Sequence, residues 1–267
     1  MPQITSVHNP RVKSALKLRD RRHRDKQGRT LIDGVRELSR AVAAGVRLTE
    51  IFVCEPLCRG DEARQLLSGL ASTGATIYSV TEAVFGALAF GQRSEGALGV
   101  AMTPGATLDA LQLPECPLVA VLEGVEKPGN VGAVLRSADG AGVSALVVAD
   151  ARTDLYNPNA IRASLGTIFT VPVATAAAND TLEWLRQQRL VVYAARVEGG
   201  ILYTAADFRG PSAIVLGSEA QGLSPVWSES DVTAVGLPMC GKADSLNVSA
   251  AAAVLFYEAL RQRSGAS

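Results

Sequence analysis

Cysteine, histidine and aromatic residues are scarce in this 267-residue chain, and its net charge is +0. The four cysteines (Cys54, Cys58, Cys116, Cys240) and two histidines (His8, His23) are scattered. Cys54 and Cys58 have no second Cys or His pair behind them, which argues against a zinc site, and no metal is expected. The cysteine usage suits a reduced, cytoplasmic protein rather than a disulfide scaffold. Long apolar runs are missing as well. The longest apolar-rich stretch, residues 250–260, is broken by Glu258. It is shorter than the roughly 20 residues that span a bilayer. The N-terminal MPQITSVHNPRVK lacks the apolar core of a signal peptide. What is present is ordinary globular composition: 48% hydrophobic and 19% charged residues, enough to bury a core and unlike a disordered, collagenous or coiled-coil chain.

The zero net charge hides an asymmetry. Residues 1–29 hold nine basic side chains and two acids, Asp20 and Asp25, so that segment carries +7 and the remainder −7. A basic arm on an acidic body is a footprint of nucleic-acid binding, because phosphate neutralisation supplies most non-specific affinity. The same residues read equally as a solvated basic helix. No aromatic residue interleaves the run, so base stacking by this segment is not indicated.

Along the chain, helical and strand signals alternate. PRVKSALKLRDRR reads as a solvated helix. TLID, LTEIFVC, ATIYSV and ALGVAM read as strands, with helices GVRELSRAVAAG, DEARQLLSGLAS and TEAVFGALA between them. This predicts a small α/β domain over residues 1–102. Residues 103–117 hold three prolines and read as a linker, although LDALQL could form a helical turn. A second domain, 118–267, follows. Its strands CPLVAVLEG, ALVVAD, FTVPVA, LVVYAAR and SAIVLG alternate with helices, the last being SLNVSAAAAVLFYEALRQR. Continuous apolar strands separated by helices imply a parallel sheet covered on both faces.

Three Gly-rich segments punctuate the second domain. EGVEKPGNVGAVLRSADGAG (123–142) is a strand-to-helix turn that offers free helix N–H groups and presents Arg136 in the second helical turn. It lacks the GxGxxG and GK[ST] spacings of dinucleotide and P-loop sites. IVLGSEAQGLS (214–224) ends a strand at Gly217 and places Glu219 in the loop, where open α/β sheets bind ligands. VGLPMCGKADSLNVSAAAAVLFYEAL (235–260) leads into a long helix for which Ser245 or Asp244 is a plausible N-cap.

Together the segments KPGNVGAVLRSADGAG, LGSEAQGL and LPMCGKADSLNVSAAAAVL closely resemble the motifs of the SpoU (TrmH-type) family of RNA 2′-O-ribose methyltransferases, in the SPOUT superfamily. The arm ITSVHNPRVKSALKL with LIDGVREL resembles the RNA substrate-binding domain that many members carry. Asp33 stands where relatives often have Glu, and Ala220 where many have Gly. The resemblance implies a small N-terminal α/β RNA-binding domain and a C-terminal parallel-sheet domain with a deep trefoil knot. It implies S-adenosylmethionine as cofactor, held around Leu216, Gly217, Leu237, Met239 and Leu246, and a homodimer with the site near the subunit interface.

A ribose 2′-OH is a poor nucleophile until its proton is managed, so the site must align oxygen, methyl carbon and sulfur and handle one proton. The polar candidates are Asn130, Arg136, Glu219, Ser245 and Asn247. The resemblance makes Arg136 central. Because an arginine stays protonated, the favoured role is stabilising the developing alkoxide or gripping a phosphate, with Asn130 orienting Arg136. Glu219, Ser245 and Asn247 would shape the site. Arg11, Lys13, Arg19, Arg21, Arg22 and Arg24 are the expected RNA contacts. The appended N-terminal domain favours ribosomal over transfer RNA; a catalytically silent RNA-binding protein on the same scaffold is the reading from another class.

Overall fold

A computed structural model of the chain describes residues 1–90, 95–198 and 200–265. It divides into two compact units: Met1–Pro104 with Tyr156–Thr170, and Gly105–Leu155 with Val171–Ser267.

The first unit runs β1 (Gln3–Ile4), α1 (Pro10–Lys17), α2 (Arg21–Gln27), β2 (Arg29–Asp33), α3 (Val35–Ala43), β3 (Leu48–Val53), α4 (Asp61–Gly69), β4 (Thr76–Val80), α5 (Glu82–Leu88) and β5 (Ala97–Met102). The sheet order is β1-β4-β3-β5-β2, with β5 antiparallel to both neighbours. The basic stretch forms two helices where the periodicity predicts one. Asn9 caps α1, with Pro10 in its first turn, and Asp20 accepts the Arg22 N–H to begin α2. The cap at Asp20 offers the backbone a better start than continuation through Leu18 and Arg19.

The second unit opens with residues 105–117. They are a packed strap rather than a free linker: Leu108, Leu111 and Leu113 lie against the core, and Thr175 N–H donates to Ala106 O at 2.9 Å. Leu108–Ala110 does form a helical turn. Then come β6 (Leu118–Glu123), α6 (Pro128–Gly140) and β7 (Ala145–Ala149), in which both strands are buried throughout. Residues 156–170, with α7 (Pro158–Ala163), pack with the first unit instead of staying in the second domain. Thr30 Oγ1 donates to Tyr156 O at 2.7 Å, and Arg40 Nη1 to Leu165 O at 2.8 Å. A crossover between parallel strands needs a dozen or more residues, and these bury Tyr156, Ile161 and Ile168.

The chain continues with β8 (Val173–Ala176), α8 (Ala178–Gln187), β9 (Val191–Ala195), β10 (Ile201–Leu202), β11 (Ser212–Leu216), β12 (Val232–Gly236) and α9 (Val248–Ser264). Strand β8 starts later than FTVPVA suggests, because Phe169 closes a helical turn at Thr167–Phe169 and Pro172 has no N–H to give a ladder. The sheet order is β10-β12-β9-β11-β6-β7-β8, parallel at every pairing. Val119, Val121 and Val147 join Leu182, Trp184 and Leu185 of α8 in one core cluster. Helix α9 packs on α6 and β11. Near its end, Arg263 donates to four backbone carbonyls: Phe208 at 2.8 Å, Cys116 at 3.0 Å, Pro117 at 3.0 Å and Gly210 at 2.8 Å.

Candidate active site

Three loops leave the carboxyl ends of β6, β11 and β12, the edge at which open parallel sheets take ligands. The β11 loop is tight. A Cβ added to Gly217 would stand 2.3 Å from the carbonyl carbon of Gly222, and Gly222 N–H returns to Ser218 O at 2.9 Å with φ +65°. Only glycine permits both the close approach and the left-handed turn. Glu123, buried at the end of β6, pins the far side of this loop by accepting from Ser224 N at 2.7 Å and Ser224 Oγ at 2.6 Å. Sequence reasoning missed Glu123; a carboxylate closing an otherwise apolar strand was the available signal.

Between the β11 and β12 loops lies a cavity of about 190 Å³. Leu216, Gly217, Leu237, Met239 and Leu246, the residues that resemblance assigns to the cofactor, all line it, and Ser245 does too. Its walls are mostly apolar, with Arg196, Glu219, Asp244 and Ser245 as polar groups at the lining, a setting that suits a flat heterocycle and an orienting polar tail. Ser245 and Asp244 do not cap α9. Asn247 does, its Oδ1 accepting from Ser249 N at 3.0 Å.

Glu219 is where the three segments meet. Its Oε2 accepts from Lys127 Nζ at 3.1 Å, and its Oε1 from Asn130 Nδ2 at 3.0 Å and from Asn247 Nδ2. The Lys127 hydrogen bond holds the carboxyl below its ordinary value, and the two amides act in the same direction. Glu219 also borders a second recess of about 250 Å³ with Val125, Lys127, Asn130 and Val248. Lys127 was not anticipated as a site residue. Arg152 adds a bridge between the β6 and β11 loops, donating to Glu126 Oε1 at 2.8 Å and Gln221 Oε1 at 2.7 Å.

Arg136 stands apart from this cluster. It lies nine residues beyond Lys127 on α6, about half a turn round the helix. It is exposed and has no side-chain hydrogen bond or ion pair among the described residues. The expected Asn130–Arg136 contact is replaced by Asn130–Glu219, since a six-residue offset puts the two side chains on different helix faces.

The six expected RNA contacts divide. Arg24 is buried, and its Nη1 donates to Leu18 O at 2.9 Å and Arg19 O at 2.8 Å. Arg19 closes the end of α5, donating to the carbonyls of Ala87, Leu88 and Ala89 at 2.9, 3.0 and 2.8 Å while its guanidinium lies over Phe90. Both therefore serve helix ends, where orphan carbonyls need donors; Arg24 is buried, whereas Arg19 stays exposed. Arg11 is exposed but paired with Glu50 at 3.0 Å, and Arg21 with Asp25 at 3.6 Å. Lys13 and Arg22 are exposed without an ion-pair partner among the described residues. Among the described residues no group of three His, Cys, Asp or Glu side chains could hold a metal ion. Cys58 is pushed up to about 11 by burial, which keeps it an inert thiol.

These features define an α/β protein that presents a nucleoside-sized cavity and a carboxylate–amide cluster at the carboxyl edge of a parallel sheet. The chain belongs to the SpoU rRNA methylase family, which it matches over residues 117–257. Residues 9–99 match the MRM3-like substrate binding domain. A crystal structure of an RNA 2′-O ribose methyltransferase is 42% identical, with TM-score 0.86 over 98% of this chain and 99% of that one. The AdoMet-bound rRNA methyltransferase from Sinorhizobium meliloti is 26% identical, with TM-score 0.88 over 97% of each chain. The 23S rRNA (guanosine(2553)-2′-O)-methyltransferase RlmP of Bacillus subtilis (strain 168) is 28% identical over 257 residues, 96% of this chain and 98% of that protein.

Proposed function

We propose that the protein transfers a methyl group from S-adenosylmethionine to a ribose 2′-hydroxyl of 23S ribosomal RNA. The observation that carries this reading is Glu219, on which Asn130 and Asn247 converge from the other two motif loops beside the cavity. When bound, S-adenosylmethionine supplies a methyl sulfonium already activated for transfer. Leu216, Leu237, Met239 and Leu246 would wall its adenosine, and Gly217 lets the β11 loop fold back on Gly222 beside them, since no Cβ fits there. Lys127, Asn130 and Asn247 keep Glu219 ionised and fixed, so that the edge shared by the cavity and the neighbouring recess stays in place. The Arg136 guanidinium, which stays protonated, would donate to the 2′-oxygen and stabilise the charge that develops as the hydroxyl proton passes to solvent water.

The site needs a second copy of the chain. Arg136 faces away from the Glu219 cluster of its own chain, and α9 exposes Ala250, Val254 and Tyr257 in a stripe at i, i+4 and i+7. Packing two copies through α6 and α9 would bury that stripe and bring Arg136 to a site at the interface. The C-terminal trefoil knot belongs to the same proposal. Its support is the strand order, in which the chain jumps from β8 at one edge to β9, then inserts β11 between β9 and β6. Ribosomal RNA as the substrate supports a cytoplasmic location.

The test is to incubate purified protein with unmodified 23S rRNA transcript and labelled S-adenosylmethionine, then map ribose methylation by primer extension at low nucleotide concentration. One new stop, dependent on the cofactor, is expected. Absence of label in the RNA at saturating protein overturns the reading.

A further inference from the structure

We propose that the cleft between α1 and α2 is a track for the phosphodiester backbone of RNA, and that its lysines, rather than the arginines of the same arm, make the contacts. The cleft is broad and open, about 500 Å³, and is lined by Lys13, Ser14, Lys17, His23 and Lys26 among others, with no carboxylate in its lining. The inference rests on the methyl-transfer reading above and names the surface that would take that substrate.

The acids of the neighbourhood are all engaged elsewhere. Asp20 caps α2 through the Arg22 N–H at 2.8 Å, Asp25 pairs with Arg21, and Glu50 pairs with Arg11 and Arg29. Lys13, Lys17 and Lys26 have no ion-pair partner among the described residues. Three ammonium groups facing one cleft without a counter-charge repel one another, and a polyanion relieves that repulsion. The cleft is also held open before any ligand arrives. The Arg24 guanidinium, from α2, grips the carbonyls that end α1, which fixes the two helices against each other. Arg19 ties the same corner to the end of α5. Arg19 and Arg24 thus hold the corner, Arg22 lies outside the lining of the cleft, and the lysines are the cations that face it. No Phe, Tyr or Trp lines the cleft and His23 is its one aromatic ring, so the lining favours the charged backbone over stacked bases. A lysine recognises phosphate as a point charge and tolerates any sequence.

The experiment compares full-length protein with a Lys13→Gln, Lys17→Gln, Lys26→Gln variant, using in-vitro-transcribed 23S rRNA as probe. The slope of log affinity against log salt is expected to fall by about 2 to 3, at roughly 0.7 to 0.9 for each phosphate that is no longer neutralised. KM for the RNA should rise while kcat at saturating RNA holds, and thermal melting should not change because these side chains are exposed. Arg24→Lys keeps the charge, and it should lower the melting temperature without flattening the slope. An unchanged salt slope in the triple variant overturns the proposal. So does lysine-dependent binding to anionic phosphatidylglycerol vesicles with no effect on RNA affinity. If the unmodified protein binds the transcript yet methylates no RNA, the functional reading fails while the track is still tested by the slope.

Discussion

Asn247 joins Glu219 to the start of α9: its Nδ2 donates to Glu219 Oε1, while its Oδ1 accepts from Ser249 N at 3.0 Å and Ser249 Oγ at 2.6 Å. One amide therefore does two separable jobs. Asn247→Ala removes both and should cost about 1 kcal/mol of stability through the missing cap. Asn247→Ser keeps an oxygen for the cap and loses the reach to Glu219. Thermal melts paired with single-turnover methyl transfer should show stability and rate falling together in the alanine variant, and rate alone in the serine variant.

Arg136→Ala is expected to lower methyl transfer by about 10²- to 10³-fold, the usual effect of removing one donor to a developing oxyanion. Arg136→Lys should restore little, because a point charge does not reproduce a planar fork. Arg136 is absent from the lining of the cofactor cavity. Calorimetric titration with S-adenosylmethionine should then give the same affinity in both variants as in the unmodified protein.

Asp33 makes stability depend on pH. Burial pushes its carboxyl up to about 6 from 3.8, against the hydrogen bond from Phe90 N–H and the attraction of Arg162. Burial also pushes Glu37 up. A group whose folded value lies above its unfolded value binds its proton more tightly when folded. Its contribution is complete below pH ~4 and is lost as pH rises through about 6. Asp33→Asn still accepts from Phe90 N–H and carries no charge, so it should flatten the change by up to about 3 kcal/mol. Urea unfolding at pH 4, 5, 6 and 7 measures the difference; equal profiles for both proteins would show that Asp33 does not titrate there.

Tyr257 is 52% exposed and Val254 38%, both on the outer stripe of α9. Light scattering should give twice the chain mass for the unmodified protein and the chain mass for a Val254→Asp, Tyr257→Asp variant. The monomeric variant should keep its far-ultraviolet circular dichroism and lose methyl transfer.

The parallel sheet was legible because β6, β7 and β11 are buried on both faces and so read as unbroken apolar runs. The short edge strands β1 and β10 are two residues each, too brief to show a period. Strand β12 is not marked out by periodicity because its Thr233 and Gly236 dilute the apolar run. Of the site, the motif residues were visible as types, but their partners were not. A lysine preceding Pro-Gly has no local mark that it will meet a glutamate 92 residues on, as Lys127 meets Glu219. The burial of Arg24 and the tethering of the exposed Arg19 were hidden for a related reason. Composition counts a guanidinium as charge, whereas the fold uses these two as multidentate donors to carbonyls at helix ends. The departure of residues 156–170 to the first unit depends on which apolar surface lies within reach, and one-dimensional periodicity does not encode that.

The Arg263 guanidinium holds Cys116 and Pro117, where the chain passes into β6, together with Phe208 and Gly210, just ahead of β11. A single side chain close to the end of α9 thus fastens the beginning of the sheet to its own finish. Peeling the final helix away must release those carbonyls together, so fraying from the C-terminus is cooperative rather than gradual. Trimming back to Gln262 would convert a locked end into a loose one, and proteases should then digest α9 progressively where the intact chain yields only its tip. The same arrangement sets the entry to β6 beside the end of α9, two points that a short peptide could join in a permuted chain opened elsewhere.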